Sequence, residues 1–168
     1  RETVADALGE ARGALDLSVD TLAKAFHAAR LLDYAQGFRI LAAASAEYDW
    51  GLDYARIAEI WRAGCIIRAA MLDDIAGAFH DGIGGDRLFL SPRFADILRD
   101  GIPALRQVVS QAALGGHAIP ALASGLAFYD TMRQSTGMAG VIQAQRDFFG
   151  HHGFRRKDRD GDHHGPWW

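Results

Sequence analysis

The sequence predicts an all-α fold, and three observations support this prediction. Apolar residues recur at helical spacings of three and four along most of the chain. Sustained alternation of apolar and polar residues, which is typical of strands, is not found, and β-branched residues rarely cluster. We therefore expect a multi-helix domain that is followed by an extended C-terminal tail.

Length and composition narrow the class of protein. The chain has 168 residues, of which 49% are hydrophobic and 23% are charged, so it can form one domain with a real core. Its net charge of −3 argues against a nucleic-acid binder. No apolar run reaches the roughly 18–20 residues that span a bilayer, so no membrane is expected as a partner. The single cysteine, Cys65, excludes an intramolecular disulfide and suits a cytoplasmic protein.

The first half of the chain predicts four helices. A short helix is expected over 3–12, and a long helix over 18–47. Within the long helix, residues 35–46 are apolar nearly all round and rich in alanine, which is typical of a buried helix. Asp53 is a suitable N-cap for the third helix, and a fourth is expected over 66–80.

The second half predicts further helices and a tail. Glycine-rich residues 81–86 form a loop, and Ser91-Pro92 is a strong helix start. Helices are expected at 91–100, 103–114, from 120 onward and at 137–149. The tail that follows has no helical period and would be disordered if left free. It ends in Trp167-Trp168, and two adjacent aromatic residues on a polar segment predict that the tail docks and buries them.

The end of the last predicted helix contains the best candidate for ligand binding. Arg146 lies near this end and His152 follows six residues later, so both can present donors to one anion. A guanidinium group forms a planar fork that suits phosphate or carboxylate. The alternative is that Arg146 pairs with a surface acid and that His152 is a plain loop residue.

Two arginines lie in an apolar segment at a predicted helix junction. A buried arginine must be paired, so Arg62 or Arg68 either braces the fold or faces a partner, and bracing is the favoured interpretation. Cys65 lies between them among apolar residues and is predicted to be a core residue, because nothing near it would activate a nucleophile.

Cofactor and metal motifs are weak or missing in the sequence. Neither G-x-G-x-x-G after a strand nor G-x-x-x-x-G-K-[ST] occurs, so we expect no cofactor site in this chain. The tail carries His151-His152 and His163-His164. Two adjacent pairs in a glycine-rich tail without cysteines are weak evidence for zinc, and we expect no metal site.

Several segments, in order along the chain, resemble the 6-phosphogluconate dehydrogenases. They are YAQGF at 34–38, IAEIWRAGCIIR at 57–68, HAIP at 117–120, LAFYD at 126–130, QAQRDFFG at 143–150 and HGPW at 164–167. The segment at 143–150 and the two histidines after it resemble the family's "QAQRDYFGAH", with Phe148 in place of tyrosine and His151 in place of alanine. The segment at 164–167 occupies the place of the family's "HTNW". Any one of these segments is a weak signal, but together they are highly specific.

The resemblance implies an activity and an assembly. It implies a cytosolic homodimer of the pentose phosphate pathway that oxidises 6-phosphogluconate with NADP or NAD and releases ribulose 5-phosphate and carbon dioxide. The cofactor domain and the catalytic Lys and Glu would precede Arg1 in a longer chain, so this chain alone is expected to be inactive. Residues 1–149 would be the helical dimerisation and substrate domain, and residues 150–168 a tail that docks on the partner subunit.

The resemblance also assigns roles to the ligand-binding candidates. Arg146 and His152 correspond to an arginine and a histidine that contact the substrate bound by the other subunit, with the arginine on its phosphate. This favours the ligand-binding interpretation of the pair, although His151 stands directly beside His152. Two other hypotheses remain: a non-catalytic helical oligomerisation module, and a metal-binding protein that uses its tail.

Overall fold

The computed structural model describes residues 1–9 and 13–167, and it confirms the predicted all-α class. Among these residues the extended structure is limited to two strands of two residues each. The helices and strands are α1 (Glu2–Leu8), α2 (Val19–Glu47), α3 (Tyr54–Arg62), α4 (Met71–His80), α5 (Ala95–Leu114), α6 (Pro120–Met132), α7 (Ala139–Gly150), β1 (Phe154–Arg155) and β2 (Asp162–His163). The end of the first predicted helix, at 10–12, lies outside the described residues.

The chain divides into two compact units, Arg1–Tyr129 and Asp130–Trp168. The division falls within α6, well before the boundary that the sequence places between residues 149 and 150. The first unit contains α1 to α5, and the second contains α7 and the two strands. No helix in the described part of the chain is both long enough and apolar enough to cross a bilayer.

Helix α2 is the longest helix of the first unit, with 29 residues, and it begins where the sequence predicts. Ser18 is its N-cap, and the Ser18 hydroxyl accepts a hydrogen bond of 3.0 Å from the backbone N–H of Thr21. In its second half Ala35 and Phe38 are fully or almost fully buried, whereas Ile40 is 69% exposed. The first unit therefore buries one side of residues 35–46 and leaves the other side open.

The first core of this unit forms where α2 meets α3 and α4. Asp53 caps α3 as predicted, because its carboxylate accepts a hydrogen bond of 3.0 Å from the backbone N–H of Arg56. The buried ring of Phe38 contacts three other aromatic rings, at centroid distances of 4.7–6.4 Å: those of Tyr54, Trp61 and Phe79. These contacts fix the two shorter helices against α2.

The fourth helix begins later than predicted. It begins at Met71, whereas the sequence pattern placed its start near residue 66. Gly64 adopts a φ of +121°, a conformation that L-residues rarely adopt, and this redirects the chain after α3. Residues 63–70 then form turns, so the apolar run Ile66-Ile67 lies outside any helix.

The predicted break between two helices at 100–103 is wrong, because α5 continues through it. Gly101 is buried against α2: a Cβ at this position would lie 2.6 Å from the Cβ of Ala28 and 2.8 Å from the carbonyl oxygen of Lys24. The glycine therefore permits close helix packing and does not end the helix. Pro103 lies inside α5 and removes one backbone donor, a loss that the packing of α5 on α2 offsets.

The residues just before α5 agree better with the sequence-based prediction of a helix start at Ser91-Pro92. The Ser91 hydroxyl accepts from the backbone N–H of Arg93, and Pro92–Phe94 forms a short 3₁₀ turn before α5. The second core lies between α2, α5 and α6, where alanines and branched apolar residues are buried. Helix α6 begins at Pro120 as predicted.

The second unit ends in a small antiparallel hairpin. Strand β1 pairs with β2 so that Phe154 lies opposite His163 and Arg155 opposite Asp162. The Lys157 ammonium group, in the turn between the strands, donates to the carbonyl oxygen of Ser135 at 3.0 Å. The tail therefore has a defined structure of its own.

Candidate functional site

The C-terminal end of α7 is organised around the carboxylate of Asp147, which is fully buried. Each of its two oxygens accepts two hydrogen bonds. The four donors are Gly153 N–H (2.8 Å), His164 Nδ1 (2.7 Å), Gly165 N–H (2.8 Å) and the Trp167 indole N–H (2.7 Å). One side chain therefore holds both the start and the end of the tail.

These hydrogen bonds also control the ionisation of Asp147. Burial by itself would raise the pKa of the carboxyl group. The donors from Gly165, Trp167, His164 and Gly153 outweigh the burial and hold the pKa of Asp147 well below its usual value. Asp147 is therefore a carboxylate at neutral pH and acts only as an acceptor.

Trp167 docks as the sequence predicts for the tail, and it does so within its own unit. Besides its bond to Asp147, its ring meets the ring of Phe148 edge to face at a centroid distance of 5.9 Å. Trp168 lies outside the described residues. Docking of residues 150–168 on a partner subunit stays a prediction.

Arg146 lies on the exposed side of α7, next to the buried Asp147. Its guanidinium group donates a hydrogen bond of 3.2 Å to the side-chain oxygen of Gln143, one turn earlier. Within the described part of the chain no acidic side chain forms an ion pair with Arg146, so the alternative of a surface ion pair finds no support. A neutral hydrogen-bond partner orients the guanidinium without neutralising its charge.

His152 lies at an open cavity of about 460 Å³, which Gln143 and Arg155 also line. Its imidazole packs closely on Gly150, where a Cβ would lie 2.6 Å from Nε2 of His152. Gln143 therefore connects the two predicted site residues: it binds Arg146 and borders the cavity of His152. Arg146 itself does not line this cavity, and Asp162 adds a carboxylate to its wall, so the donors that an anion would meet there are those of Gln143, His152 and Arg155.

The neighbouring His151 lies in a different environment. It caps α7 in the left-handed conformation, with a φ of 52°, and its ring stacks on that of His164 at a centroid distance of 3.6 Å. The contacts thus separate the two adjacent histidines: His151 belongs to the cluster around Asp147, and His152 borders the cavity.

Arg62 and Arg68, the two arginines that the sequence analysis considered together, also lie in different environments. Arg62 braces α3 against α4 through a hydrogen bond to Asp73, although both side chains are about half exposed. The prediction that Arg62 or Arg68 braces the fold is therefore met by Arg62, whereas Arg68 is exposed and has no ion pair with any described acidic residue. Cys65, which was predicted to be a core residue, is partly buried and lies in neither of the two cores, and its thiol donates to the carbonyl oxygen of Trp61.

Arg68 instead lines a cavity of about 470 Å³ with Arg30, a residue that the sequence did not single out. The Arg30 guanidinium lies 5.4 Å from the ring centroid of Phe26, as in a cation–π contact. The Tyr34 hydroxyl, which also borders the cavity, donates to the carbonyl oxygen of Ile67. The carboxyl group of Asp33 lines the same cavity, so an anion that bound to the two guanidinium groups would lie beside an acidic residue.

Sequence reasoning missed Asp147 and Gln143, although both lie in the segment it quoted. One signal could have found Asp147. An acidic residue in the last turn of a helix is disfavoured by the helix dipole, and it therefore needs donors from elsewhere in the fold. No comparable signal distinguishes Gln143, because a glutamine on an exposed helix face is common.

Comparison with known proteins identifies the family. The family profile described as 6-phosphogluconate dehydrogenase, C-terminal domain, matches residues 2–167. This chain belongs to the 6-phosphogluconate dehydrogenase family. The match covers both compact units, and it confirms the resemblance that the sequence segments indicated.

Individual relatives in the 6-phosphogluconate dehydrogenase family agree with the profile. The decarboxylating enzyme of Escherichia coli is 43% identical over 149 residues, which are 89% of this chain and 32% of that protein. The NADP(+)-dependent, decarboxylating enzyme of Bacillus subtilis is also 43% identical over 149 residues, with the same coverage. This chain therefore spans about a third of the length of these relatives.

A solved structure of the same family has the same fold. The 6-phosphogluconate dehydrogenase of Plasmodium falciparum superposes with a TM-score of 0.90 at 33% identity, covering 99% of this chain and 37% of that chain. Its structures are described as apo, in complex with its cofactor NADP+ and in complex with its substrate 6-phosphogluconate.

Proposed function

We propose that this chain is the C-terminal part of a decarboxylating 6-phosphogluconate dehydrogenase. The full enzyme would oxidise 6-phosphogluconate with NADP or NAD and release ribulose 5-phosphate and carbon dioxide. The named activities of the Escherichia coli and Bacillus subtilis relatives support this proposal, as does the match over residues 2–167. A cytoplasmic location follows from the same proposal.

Within that enzyme, Arg146 would bind the phosphate of 6-phosphogluconate and His152 would donate a further hydrogen bond to the substrate. The observation that carries this assignment is the position of Gln143, which orients Arg146 and borders the cavity of His152. A guanidinium that keeps its full charge and is held by a neutral amide is ready to bind phosphate with two parallel hydrogen bonds.

The residues described here do not fit a dinucleotide site. Such a site needs a parallel sheet with a glycine-rich turn that leads into a helix N-terminus, whereas this chain offers helices and one short antiparallel hairpin. We assign the nicotinamide cofactor and the acid–base chemistry to the part of the enzyme outside this chain. The residues of this chain would hold and orient the substrate.

A second copy of the chain is the proposed partner. The exposed side of α7 and its N-cap residue carry large apolar side chains that the second unit does not cover: Met138 at the N-cap, and Val141, Ile142 and Phe149 in the helix, each between 54% and 75% exposed. Such a stripe is typical of a surface that associates. We propose that the subunits form a homodimer in which each C-terminal region serves the site of the other.

A chimera tests the proposed function. The part of the Escherichia coli relative that precedes the matched region is joined to this chain, and reduction of NADP by 6-phosphogluconate is measured. We expect turnover from the chimera and none from this chain alone with either nicotinamide cofactor. Turnover by the isolated chain would contradict the proposal, as would a folded, dimeric chimera that has no activity.

A further inference from the structure

His164 is held in the tautomer that metal-binding histidines adopt. Its Nδ1 lies 2.7 Å from an oxygen of Asp147. Both oxygens of Asp147 also accept hydrogen bonds from N–H groups that can only donate, so in the neutral imidazole Nδ1 carries the hydrogen and Nε2 has the lone pair. When one ring nitrogen of a histidine donates a hydrogen bond to a carboxylate, the orientation of the ring is fixed and the other nitrogen becomes more basic, as in carboxylate–histidine–zinc sites.

A second imidazole lies next to this nitrogen. The rings of His151 and His164 stack with an interplanar angle of 2°, and potential ligand atoms of Asp147, His151 and His164 all lie within 4.8 Å of one another. Two nitrogens bound to one zinc ion at about 2.0–2.1 Å are separated by roughly 3.3 Å in tetrahedral geometry. The potential ligand atoms are therefore close enough for one ion, provided that the ring orientation changes.

The stacked rings cannot coordinate one ion without a change, because their lone pairs lie in two parallel planes. His151 is exposed, so its ring can rotate about its side-chain bonds toward Nε2 of His164. Asp147 cannot move in this way, since it is buried and its oxygens already accept four hydrogen bonds. Asp147 is thus a positioning residue for His164.

We propose that His151 and His164 bind a Zn²⁺ ion at the C-terminal end of α7, with water in the remaining positions. Imidazole nitrogens suit zinc, and an ion at this place would connect the helix end to the last residues of the tail. The proposal goes beyond the proposed enzymatic function and does not depend on it. It replaces the sequence-based expectation that this chain has no metal site.

The other tail histidines are engaged elsewhere. Nε2 of His163 lies 3.1 Å from the carbonyl oxygen of Asp160, within the hairpin. The ring of His152 packs on Gly150 at the cavity that it borders. Neither belongs to the cluster of potential ligands around Asp147. His163 therefore provides a matched control: a tail histidine that the proposed site does not use.

The experiment is a calorimetric titration of the purified chain, without an affinity tag, with zinc chloride. We expect saturable binding of one ion per chain. His151→Asn should weaken binding at least about tenfold, since even the loss of a residue behind a ligand costs 10–100-fold. Asparagine tolerates the left-handed backbone of residue 151, so this variant should keep the fold. His163→Asn should bind zinc as the unaltered chain does.

A spectroscopic readout identifies the ligands. Cobalt(II) chloride replaces zinc chloride, and its visible absorption should change on binding to the unaltered chain and should stay that of the free ion with His151→Asn. Tryptophan fluorescence checks that each variant keeps Trp167 docked. The proposal is overturned if the unaltered chain shows no saturable zinc binding. It is equally overturned if His151→Asn binds as tightly as the unaltered chain, or if His163→Asn weakens binding as much as His151→Asn.

Discussion

The indole N–H of Trp167 donates a hydrogen bond of 2.7 Å to Asp147, a fully buried carboxylate twenty residues earlier in the chain. Three further donors bind the same carboxylate, two of them backbone N–H groups of the tail. The tail has almost no regular structure beyond four paired residues. One acidic side chain therefore holds both ends of the tail, and the Lys157 ammonium group, which donates to the carbonyl oxygen of Ser135, adds a contact in its middle.

Asp147→Asn should release the tail. The amide has one acceptor oxygen, and its NH₂ group would face donors that need an acceptor. We expect faster trypsin cleavage after Arg155 or Lys157 and a red shift of tryptophan fluorescence. Asp158→Asn is the control, because Asp158 is exposed and its salt bridge in the described part of the chain is with the nearby Arg156. Equal cleavage rates in the two variants would show that Asp147 does not hold the tail.

The surroundings of two helical glycines, Gly101 in α5 and Gly37 in α2, predict opposite effects of a substitution by alanine. Gly101→Ala should destabilise the fold by about 1–3 kcal/mol, because its Cβ would overlap Ala28 and the backbone of Lys24. Gly37→Ala should stabilise it by about 0.5–1 kcal/mol, since no described atom beyond its own stretch of helix lies within 4 Å of the added Cβ. Urea unfolding monitored by circular dichroism measures both changes. A destabilisation of similar size in both variants would contradict this account.

Asp33 predicts a pH dependence of stability. Its carboxyl is partly desolvated by the surrounding protein, and this desolvation raises its pKa above the ordinary value. The folded state therefore binds the proton more tightly than the unfolded state does. The stability that this proton contributes is fully present below about pH 4, where the carboxyl group is protonated in the unfolded state as well. This stability is lost as the pH rises through the raised pKa of the folded state.

Asp33→Asn should consequently gain stability relative to the unaltered chain as the pH rises from 3 to 7. Thermal unfolding at a series of pH values measures this difference. Asp49→Asn is the control, because Asp49 is exposed and its positive φ suits asparagine as well. The prediction fails if the difference between the Asp33 variant and the unaltered chain does not change with pH.

The sequence predicted the helices better than their ends, for identifiable reasons. Caps such as Ser18 and Asp53 act locally, so their positions could be predicted from the residues nearby. Gly101 was interpreted as a break because its role comes from a helix more than seventy residues earlier in the chain, through the contact with Ala28. Local composition does not contain that contact.

The site shows the same limit. The chemistry of guanidinium and imidazole groups made Arg146 and His152 candidates, and the resemblance to a family decided in favour of ligand binding. Asp147 was not predicted, since its importance depends on donors that arrive 6 to 20 residues later in the chain. The separation of His151 from His152 also required the fold, because adjacent residues of one type differ only in the direction their side chains take.

The exposed apolar residues of α7 predict a dimer. Obligate interfaces bury on the order of 2,000 Å² or more, and the exposed side chains of Val141, Ile142 and Phe149 are suited to such a surface. Sedimentation velocity at micromolar concentration should show a dimer of the chain. Ile142→Glu should shift it toward monomer, whereas Val4→Glu, on an exposed side chain of α1, should not. A monomeric unaltered chain at micromolar concentration would contradict the proposed assembly.

Arg146→Ala in the Escherichia coli chimera should lower kcat/KM for 6-phosphogluconate about thirtyfold or more. Loss of one partner of a desolvated charge pair costs roughly 2–5 kcal/mol, at about 1.4 kcal/mol per tenfold. Much of the effect should appear in KM, because the phosphate is distant from the reacting carbon. His152→Ala should cost less, about 1.5–3 kcal/mol for one hydrogen bond to a charged group. Arg56→Ala removes an exposed guanidinium from the first unit and should leave the kinetics unchanged.

Mixed dimers of the chimera test whether Arg146 serves the neighbouring subunit. One subunit carries Arg146→Ala, and the other carries an inactivating substitution of the catalytic lysine in its Escherichia coli part. If Arg146 acts across the interface, the lysine variant donates its intact Arg146 to the site that keeps its lysine. Each mixed dimer then recovers about one working site, although both parent homodimers are impaired.

If Arg146 acts within its own subunit, neither site has both groups and the mixed dimer stays as impaired as its parents. Steady-state rates after the two variants are co-expressed and the mixed dimer is purified decide between these outcomes, and a mixed dimer without recovered activity would contradict the cross-subunit role.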